Sequence, residues 1–196
     1  MHKMIRLNNK YRDKWSLANL SFFSLAMVLL LTQCEIQDSF EYQKSETSKL
    51  DVTAWEFIQS QENLSSMAEA ITAAGMESYY SGSSSYTFIL PDNTGWSSYL
   101  STNGYSRISD IPVETLKEVI GYHIVNAIVN FSDVELMDSN NYIAYETIRG
   151  EIMYLSHDTS WRGYVNAKWL IYTSNLVPTN GVMHLLRYVV YPVDVD

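Results

Sequence analysis

Cysteine and histidine are scarce in this chain, and the scarcity excludes several kinds of site. Cys34 is the only cysteine among 196 residues, so no internal disulfide and no multi-cysteine metal site can form. His2 lies in a basic leader, which leaves His123, His157 and His184 scattered through the body. The motifs GxSxG, HExxH, GxxxxGK and GxGxxG are all missing. We therefore predict no enzymatic activity, no metal site and no cofactor, and we expect His157 with Asp158 in a surface turn.

Positive charge is scarce outside the N-terminus. After residue 33 the chain holds 8 Lys or Arg against 21 Asp or Glu, a net charge of −13. A surface this acidic repels phosphate backbones, which argues against nucleic-acid binding. The hydrophobic fraction of 46% is nevertheless sufficient for a packed core. The length accommodates one domain of ordinary size and an export segment.

The N-terminal segment has the pattern of an export signal. Five basic residues precede Trp15, and no charge occurs from Trp15 to Cys34. The letters LTQC that end at Cys34 resemble the lipobox of bacterial lipoproteins, although Gln33 replaces the small residue expected before the cysteine. We predict a signal peptide over residues 1–33, acylation of Cys34 and an acidic tether over residues 34–51. The alternative is an uncleaved anchor, since 20 uncharged residues can cross a bilayer.

The first half of the body has helical patterns. Residues 53–56 have the spacing of a capping box, in which a hydroxyl and a carboxylate bind the free amides at a helix start. Residues 66–69 repeat this spacing before a second helix, for which Gly75 is a suitable end. A brief helix is expected at residues 95–100. After Pro112, apolar residues recur at helical spacing up to Ile124. His123 belongs to this buried stripe, and Tyr122 lies at its edge with its hydroxyl in water.

The second half of the body has strand patterns. A short strand is expected at residues 86–90, and from residue 142 onward short runs of β-branched and aromatic residues alternate with turn residues. Asn180-Gly181 suits a tight hairpin turn. Residues 182–191 are largely apolar on both faces, which predicts a central strand with a buried His184. Helices followed by strands indicate an α+β fold with an antiparallel sheet.

Three segments in this order resemble the conserved segments of a fasciclin (FAS1) domain. They are YTFILPDNTGW at 86–96, LKEVIGYHIV at 116–125 and SNLVPTNGVMHLLRYVVYP at 174–192. The positions that match the family's motifs are Pro91, Asn93, Tyr122, His123, Asn180, Gly181 and His184. The resemblance implies a fasciclin-like domain over residues 52–196, in which antiparallel strands form a β-sandwich-like wedge packed with helices.

The resemblance also implies a function in cell adhesion and extracellular binding. In animal members the Tyr-His segment is tied to partner contact, which makes Tyr122 and His123 candidate binding residues; the alternative is that both are core residues. Trp161, with Tyr79 and Tyr80, is a second candidate, because turn-borne aromatics form platforms for sugars or proteins. The alternative is that these rings fold onto the sheet.

We expect a lipid-anchored protein of the bacterial cell envelope, in the outer membrane, that binds a protein or glycan partner. A different possibility is an accessory subunit of an outer-membrane, TonB-dependent nutrient importer. The sequence leaves the ligand and the number of subunits open.

Overall fold

The computed structural model describes residues 49–132 and 142–193. The predicted signal peptide, Cys34 and most of the predicted tether lie outside these residues. The last residues of that tether belong to the folded body, because Lys49 forms a β-bridge with Val177 and the Leu50 amide donates to the Val177 carbonyl at 2.8 Å. Within the described ranges, no helix combines the length and the apolar character needed to cross a membrane.

The first helix, α1 (Ala54–Ser60), begins at the predicted capping box. The Thr53 hydroxyl accepts from the Glu56 amide, and the Glu56 carboxylate accepts from the Thr53 amide at 2.7 Å. This prediction is confirmed, and its physical basis is local. Two free amides at a helix start are satisfied by side chains three positions apart.

The second helix, α2 (Ser65–Ala74), ends as predicted but begins differently. Gly75 follows it with a φ of 66°, the left-handed conformation that glycine tolerates. The predicted capping box at residues 66–69 is wrong, because a 3-10 turn (Glu62–Leu64) runs directly into the helix. The Ser66 amide donates instead to the side-chain oxygen of Asn93 at 3.0 Å. A distant residue thus replaces the local cap.

Three further α-helices follow within the described residues: α3 (Glu77–Ser81), α4 (Asn93–Asn103) and α5 (Val113–Tyr122). Helix α4 is longer than the predicted helix at residues 95–100. Asp92 caps its start, because the Asp92 side chain accepts from the amides of Thr94 and Gly95. Helix α5 follows Pro112 as predicted and buries Leu116 and Ile120.

The strands form one seven-stranded sheet within the described residues. They are β1 (Tyr86–Pro91), β2 (Ile124–Val125), β3 (Ile143–Glu146), β4 (Ile152–His157), β5 (Gly163–Val165), β6 (Trp169–Leu176) and β7 (Gly181–Leu186), in the order β2-β1-β7-β6-β5-β4-β3. The pairs are antiparallel as predicted, except that β1 and β7 are parallel. Side-chain alternation is the same for both directions, so the pattern could not reveal this pair.

Strand β7 lies in the interior of the sheet, between β1 and β6, and all six of its residues are buried. Its predicted extent was too long, since the strand ends at Leu186 rather than Tyr191. The predicted two-residue turn is also wrong, because residues 177–180 connect β6 to β7 and Gly181 is already in the strand. Asn180 acts through its side chain, which accepts from the Ala54 amide and donates to the Tyr80 carbonyl, both at 2.8 Å.

Two hydrophobic cores cover the two faces of the central strands. On one face, Phe88 of β1 and Met183 of β7 pack with the helices. On the other face, Ile89 and Leu186 pack with residues of the remaining strands. A β-bridge between Val125 and Thr147 brings the two ends of the sheet together, so the sheet is nearly closed. This is the predicted α+β wedge.

Gly181 offers a test of the parallel pairing. A Cβ there would overlap the carbonyl oxygen of Tyr86, its partner across β1 and β7, and its φ is 153°. Gly181→Ala should lower the free energy of unfolding by roughly 2 kcal/mol or more, as expected for backbone strain at a buried site. The measurement is urea unfolding followed by tryptophan fluorescence.

Gly121 provides the matched control. It lies inside α5, and a Cβ there would meet only side chains at ordinary contact distances of 3.7 Å or more. Gly121→Ala should therefore be neutral or should stabilise by up to roughly 1 kcal/mol. Equal losses in the two variants would contradict the proposed contact at Gly181.

Candidate partner-binding site

Tyr122, a sequence-predicted binding residue, is buried at the end of α5. Its side chain is 1% exposed, and its hydroxyl donates to the Ile152 carbonyl at 3.1 Å and accepts from the Asn166 side chain at 2.8 Å. Burial raises the pKa of this hydroxyl. The expectation of a hydroxyl in water is wrong, because β4 and the turn after β5 cover it. The residues that bury the Tyr122 hydroxyl, Ile152 and Asn166, are 30 and 44 positions away in the chain, so no local pattern around Tyr122 indicates its burial.

His123 follows Tyr122 and is fully buried. Its Nδ1 lies 2.7 Å from the Val119 carbonyl, and its Nε2 lies 3.0 Å from the Val190 amide. Since a carbonyl only accepts and an amide only donates, the ring is neutral with its proton on Nδ1. Burial lowers the pKa of His123 to about 4. The ring thus joins the last turn of α5 to the chain after β7.

His184 forms the same kind of bridge with the opposite tautomer. Its Nε2 donates to the Val129 carbonyl at 3.0 Å, and its Nδ1 accepts from the Asn175 amide at 3.1 Å. The ring is fully buried and packs edge-on against Phe131, and burial lowers its pKa to about 4. His184 therefore connects the interior strand β7 to β6 and to the segment after β2.

His123 and His184 are both buried, and their side chains do not converge on a cleft. His123 contacts Val119 and Val190, whereas His184 contacts Val129 and Asn175. Neither histidine nor Tyr122 presents a side chain to an approaching partner in this structure. In residues 49–132 and 142–193, no group of three or more His, Cys, Asp or Glu side chains is placed to hold a metal ion.

Pro91 and Asn93 stand at the junction of β1, α4 and the start of α2. Pro91 ends β1 opposite Leu186 of β7. The Asn93 amide nitrogen donates to the Glu62 carbonyl at 2.9 Å and to the Ser65 hydroxyl at 3.0 Å, while its oxygen accepts from the Ser66 amide. One side chain thus satisfies backbone and side-chain groups of a segment that precedes it by about thirty positions.

His157 is buried at the end of β4, and the expectation of a surface position is wrong. Its Nδ1 donates to the Asp158 carbonyl at 2.9 Å. The indole of Trp161 stacks on its ring, with centroids 4.5 Å apart and planes inclined by 22°. His157 therefore supports Trp161, the third predicted binding residue, by stacking against its indole.

Trp161 is exposed, with 51% of its surface accessible. Its φ of 60° is unusual for a residue with a side chain, and its amide donates to the Asp158 carbonyl at 2.9 Å. The Asp158 carboxylate accepts from the amides of Ser160 and Arg162 at 2.9 and 3.0 Å and from the Arg162 side chain at 2.7 Å. The Arg162 amide contributes most to holding the pKa of this carboxyl below its usual value. The loop therefore fixes the indole in place.

The two tyrosines of the predicted platform differ in exposure. Tyr79 is 36% exposed, whereas Tyr80 is fully buried and stacks on Phe88 with centroids 4.7 Å apart. The Tyr80 hydroxyl has no hydrogen-bond partner among the described residues. Tyr80 is therefore a core residue and not a platform.

Sequence reasoning missed Asp158 and Asn166 as positioning residues. An Asp followed by Thr and Ser between two strands is a known signal for a side-chain-capped turn and would have identified Asp158. Asn166 has a φ of 48° in the β5–β6 turn, and its side chain binds the Tyr154 amide, the Tyr122 hydroxyl and the Tyr191 carbonyl. No local pattern predicts those three partners.

The two buried histidines predict a specific loss of stability in acid. Each has a pKa of about 4 in the folded protein, against an ordinary value of 6.5 for a histidine side chain in water. The lowered pKa means that the unfolded chain binds protons first, so stability is complete above about pH 6.5 and falls as the pH approaches 4. We expect a loss of roughly 3 kcal/mol per histidine across this window.

NMR of imidazole-labelled protein checks the cause. At pH 5.5, His123 and His184 should both be neutral, with the proton on Nδ1 in the first and on Nε2 in the second. Ring signals of either residue that titrate with a midpoint near 6.5 would contradict this assignment.

Comparison with known proteins identifies the family. The Fasciclin domain family matches residues 62–192, which confirms the resemblance found in the three segments. Among solved structures, the chain is similar to a FAS1 domain pair from the insect cell adhesion molecule fasciclin I, with a TM-score of 0.60 and 14% identity. The match covers 72% of this chain and 51% of that one, so the chain spans about half of the domain pair. No curated protein matches. With its helices, its nearly closed sheet and its conserved segments in order, this chain belongs to the Fasciclin domain family.

Proposed function

We propose that this chain is a non-catalytic adhesion module of the bacterial cell envelope, anchored through a lipid on Cys34, and that Trp161 contacts a protein or glycan partner. Membership of the Fasciclin domain family supports an adhesion or binding role. The similar solved structure comes from a cell adhesion molecule, which is consistent with the proposal.

The exposed and immobilised indole of Trp161 is the observation that carries the proposal. Its lower face rests on the buried His157, and its backbone is held by Asp158. A side chain that is already fixed loses little conformational entropy when a partner binds. Tryptophan is also among the residues that contribute most to binding energy at interfaces. The loop thus has the properties of an anchor point for a partner.

The charges beside the indole are neutralised within the loop. Arg162 pairs with Asp158 at 2.6 Å, and the arginine side chain is 61% exposed while the aspartate is 17% exposed. A partner therefore meets an aromatic face beside a compensated ion pair. Such a face favours a neutral or mixed surface over a strongly charged one.

The membrane anchor in this proposal rests on the sequence. The basic leader, the uncharged segment and the single cysteine at its end occur in the order that lipid attachment requires. One acylated end and an acidic tether would leave the domain outside the bilayer.

Replacing Trp161 tests the binding role. Bacteria that display the full chain with Trp161→Ala should lose at least ten-fold in adhesion to cell layers or to each other, as for a central interface residue. Tyr172→Ala is the matched control, because Tyr172 on β6 is another exposed aromatic ring and is not a predicted binding residue. Adhesion by Trp161→Ala cells equal to that of the control, at equal display levels and equal melting temperature, would refute this role.

Replacing Cys34 tests the anchor. Cys34→Ser should move the protein from the membrane fraction to the soluble fraction, since no acyl group can attach. Gln33→Gly is the matched variant, because a small residue before the cysteine should increase the amount of processed, lipid-labelled protein. If Cys34→Ser remains in the membrane fraction, the apolar segment itself is the anchor.

A further inference from the structure

A groove runs between helix α4 and the chain that follows β7. Its volume is about 470 Å³, within the roughly 300–1,000 Å³ typical of small-ligand sites. Gly95 lies at one end, where the helix contacts the backbone; a Cβ there would lie 2.8 Å from the Tyr188 amide nitrogen. At Gly95 the helix therefore lies directly against the backbone of the chain after β7, which closes this end of the groove.

The helix wall of the groove carries uncharged polar side chains beside the ring of Tyr99. Ser98, Thr102 and Asn103 lie on the same face of α4 as Gly95, at helical spacing. Within the described residues, the hydroxyls of Ser98 and Thr102 have no hydrogen-bond partner, whereas many helical hydroxyls donate to a carbonyl one turn earlier. Asn103 donates its amide nitrogen to the Tyr99 carbonyl at 2.8 Å, which leaves its side-chain oxygen as an acceptor.

The opposite wall is aromatic. Tyr188 and Tyr191 are 48% and 52% exposed, and the edge of the largely buried Trp169 meets Tyr191 with ring centroids 4.8 Å apart. Lys168 holds this pair: its Nζ donates to the Tyr191 hydroxyl at 2.7 Å and lies 4.7 Å from the centre of the Trp169 ring. The rings of Trp169 and Tyr191 are thus positioned before any ligand arrives.

Several classes of ligand do not suit this lining. The residues that line the groove carry no formal charge, so a cation would be desolvated there without a counter-charge, and an anion would have to share the Lys168 ammonium with the Tyr191 hydroxyl and the Trp169 ring. A peptide that adds a strand needs free backbone groups, but the Val190 amide is bound to His123 and the Tyr191 carbonyl to Asn166. A lipid chain would bury the helix hydroxyls without partners.

We infer that the groove binds a neutral saccharide. The carbon-bound hydrogens on one face of a sugar ring are attracted to the negative face of an aromatic ring such as Tyr188 or Tyr191. The hydroxyls on its rim pair with Ser98, Thr102 and the oxygen of Asn103. This inference builds on the proposed binding function and supplies a ligand class for a site separate from Trp161.

Affinity electrophoresis of the purified full chain tests the inference. The probes are soluble neutral polysaccharides, namely a β-glucan, a xylan, a galactan and an α-mannan, with polygalacturonate as the charged control. At least one neutral polysaccharide should retard the protein.

Ser98→Trp fills the groove from an exposed helix position and should weaken that binding at least ten-fold. Ser97→Trp is the matched control, because the adjacent exposed serine does not line the groove.

Tyr188→Ala provides a second variant that removes an aromatic face without filling the groove. It should also weaken binding at least ten-fold, while Ser97→Trp leaves it unchanged. The melting temperature of each variant is measured alongside, so that a loss of binding is separated from a loss of folding.

Four results would overturn the inference: no retardation by any neutral polysaccharide, binding retained in Ser98→Trp, stronger groove-dependent binding of polygalacturonate, or self-association in sedimentation that Ser98→Trp abolishes. The last would make a second copy of the chain the occupant.

Polysaccharide binding lost in Trp161→Ala but kept in Ser98→Trp would refute the groove and preserve the proposed function. Loss of cell adhesion without loss of polysaccharide binding in Trp161→Ala would show that the two surfaces act separately.

Discussion

The fold depends on the hydrogen bonds of two neutral imidazoles, each of which binds one backbone group in a segment outside the strands, after β7 for His123 and after β2 for His184. His123 binds a carbonyl in α5 and an amide after β7, and His184 binds an amide in β6 and a carbonyl after β2. Each ring donates once and accepts once, so both buried nitrogens are satisfied. Neutrality is essential to this arrangement, because protonation would turn the accepting nitrogen into a donor that faces an amide.

The same constraint explains where binding can occur. Residues that hold α5 to the sheet cannot also contact a partner without opening the core, and Tyr122 is locked by Asn166 in the same way. Exposed aromatic rings occur instead at the periphery, at Trp161 and at the wall formed by Tyr188 and Tyr191. A closed core with aromatic loops suits an adhesion module, which binds through surfaces carried on a rigid scaffold.

The rings of both aromatic surfaces, at Trp161 and at Tyr191, are held in position by contacts with neighbouring residues. His157 supports Trp161 from below, and Lys168 holds Tyr191 against Trp169. Ordering these rings during folding means that a ligand does not have to order them during binding. At the two proposed binding surfaces, the stability of the scaffold would thus contribute indirectly to affinity.

The sequence alone determined the features that depend on neighbouring residues or on one repeating pattern. The cap of α1, the glycine that ends α2 and the two-sided burial of β7 follow from local hydrogen bonding and from apolar spacing. Tertiary structure decided the parallel β1–β7 pair, the capping of α2 by Asn93 and the burial of Tyr122 and His157. Each of these requires two distant segments to meet, and a local pattern contains no information about which distant segment arrives.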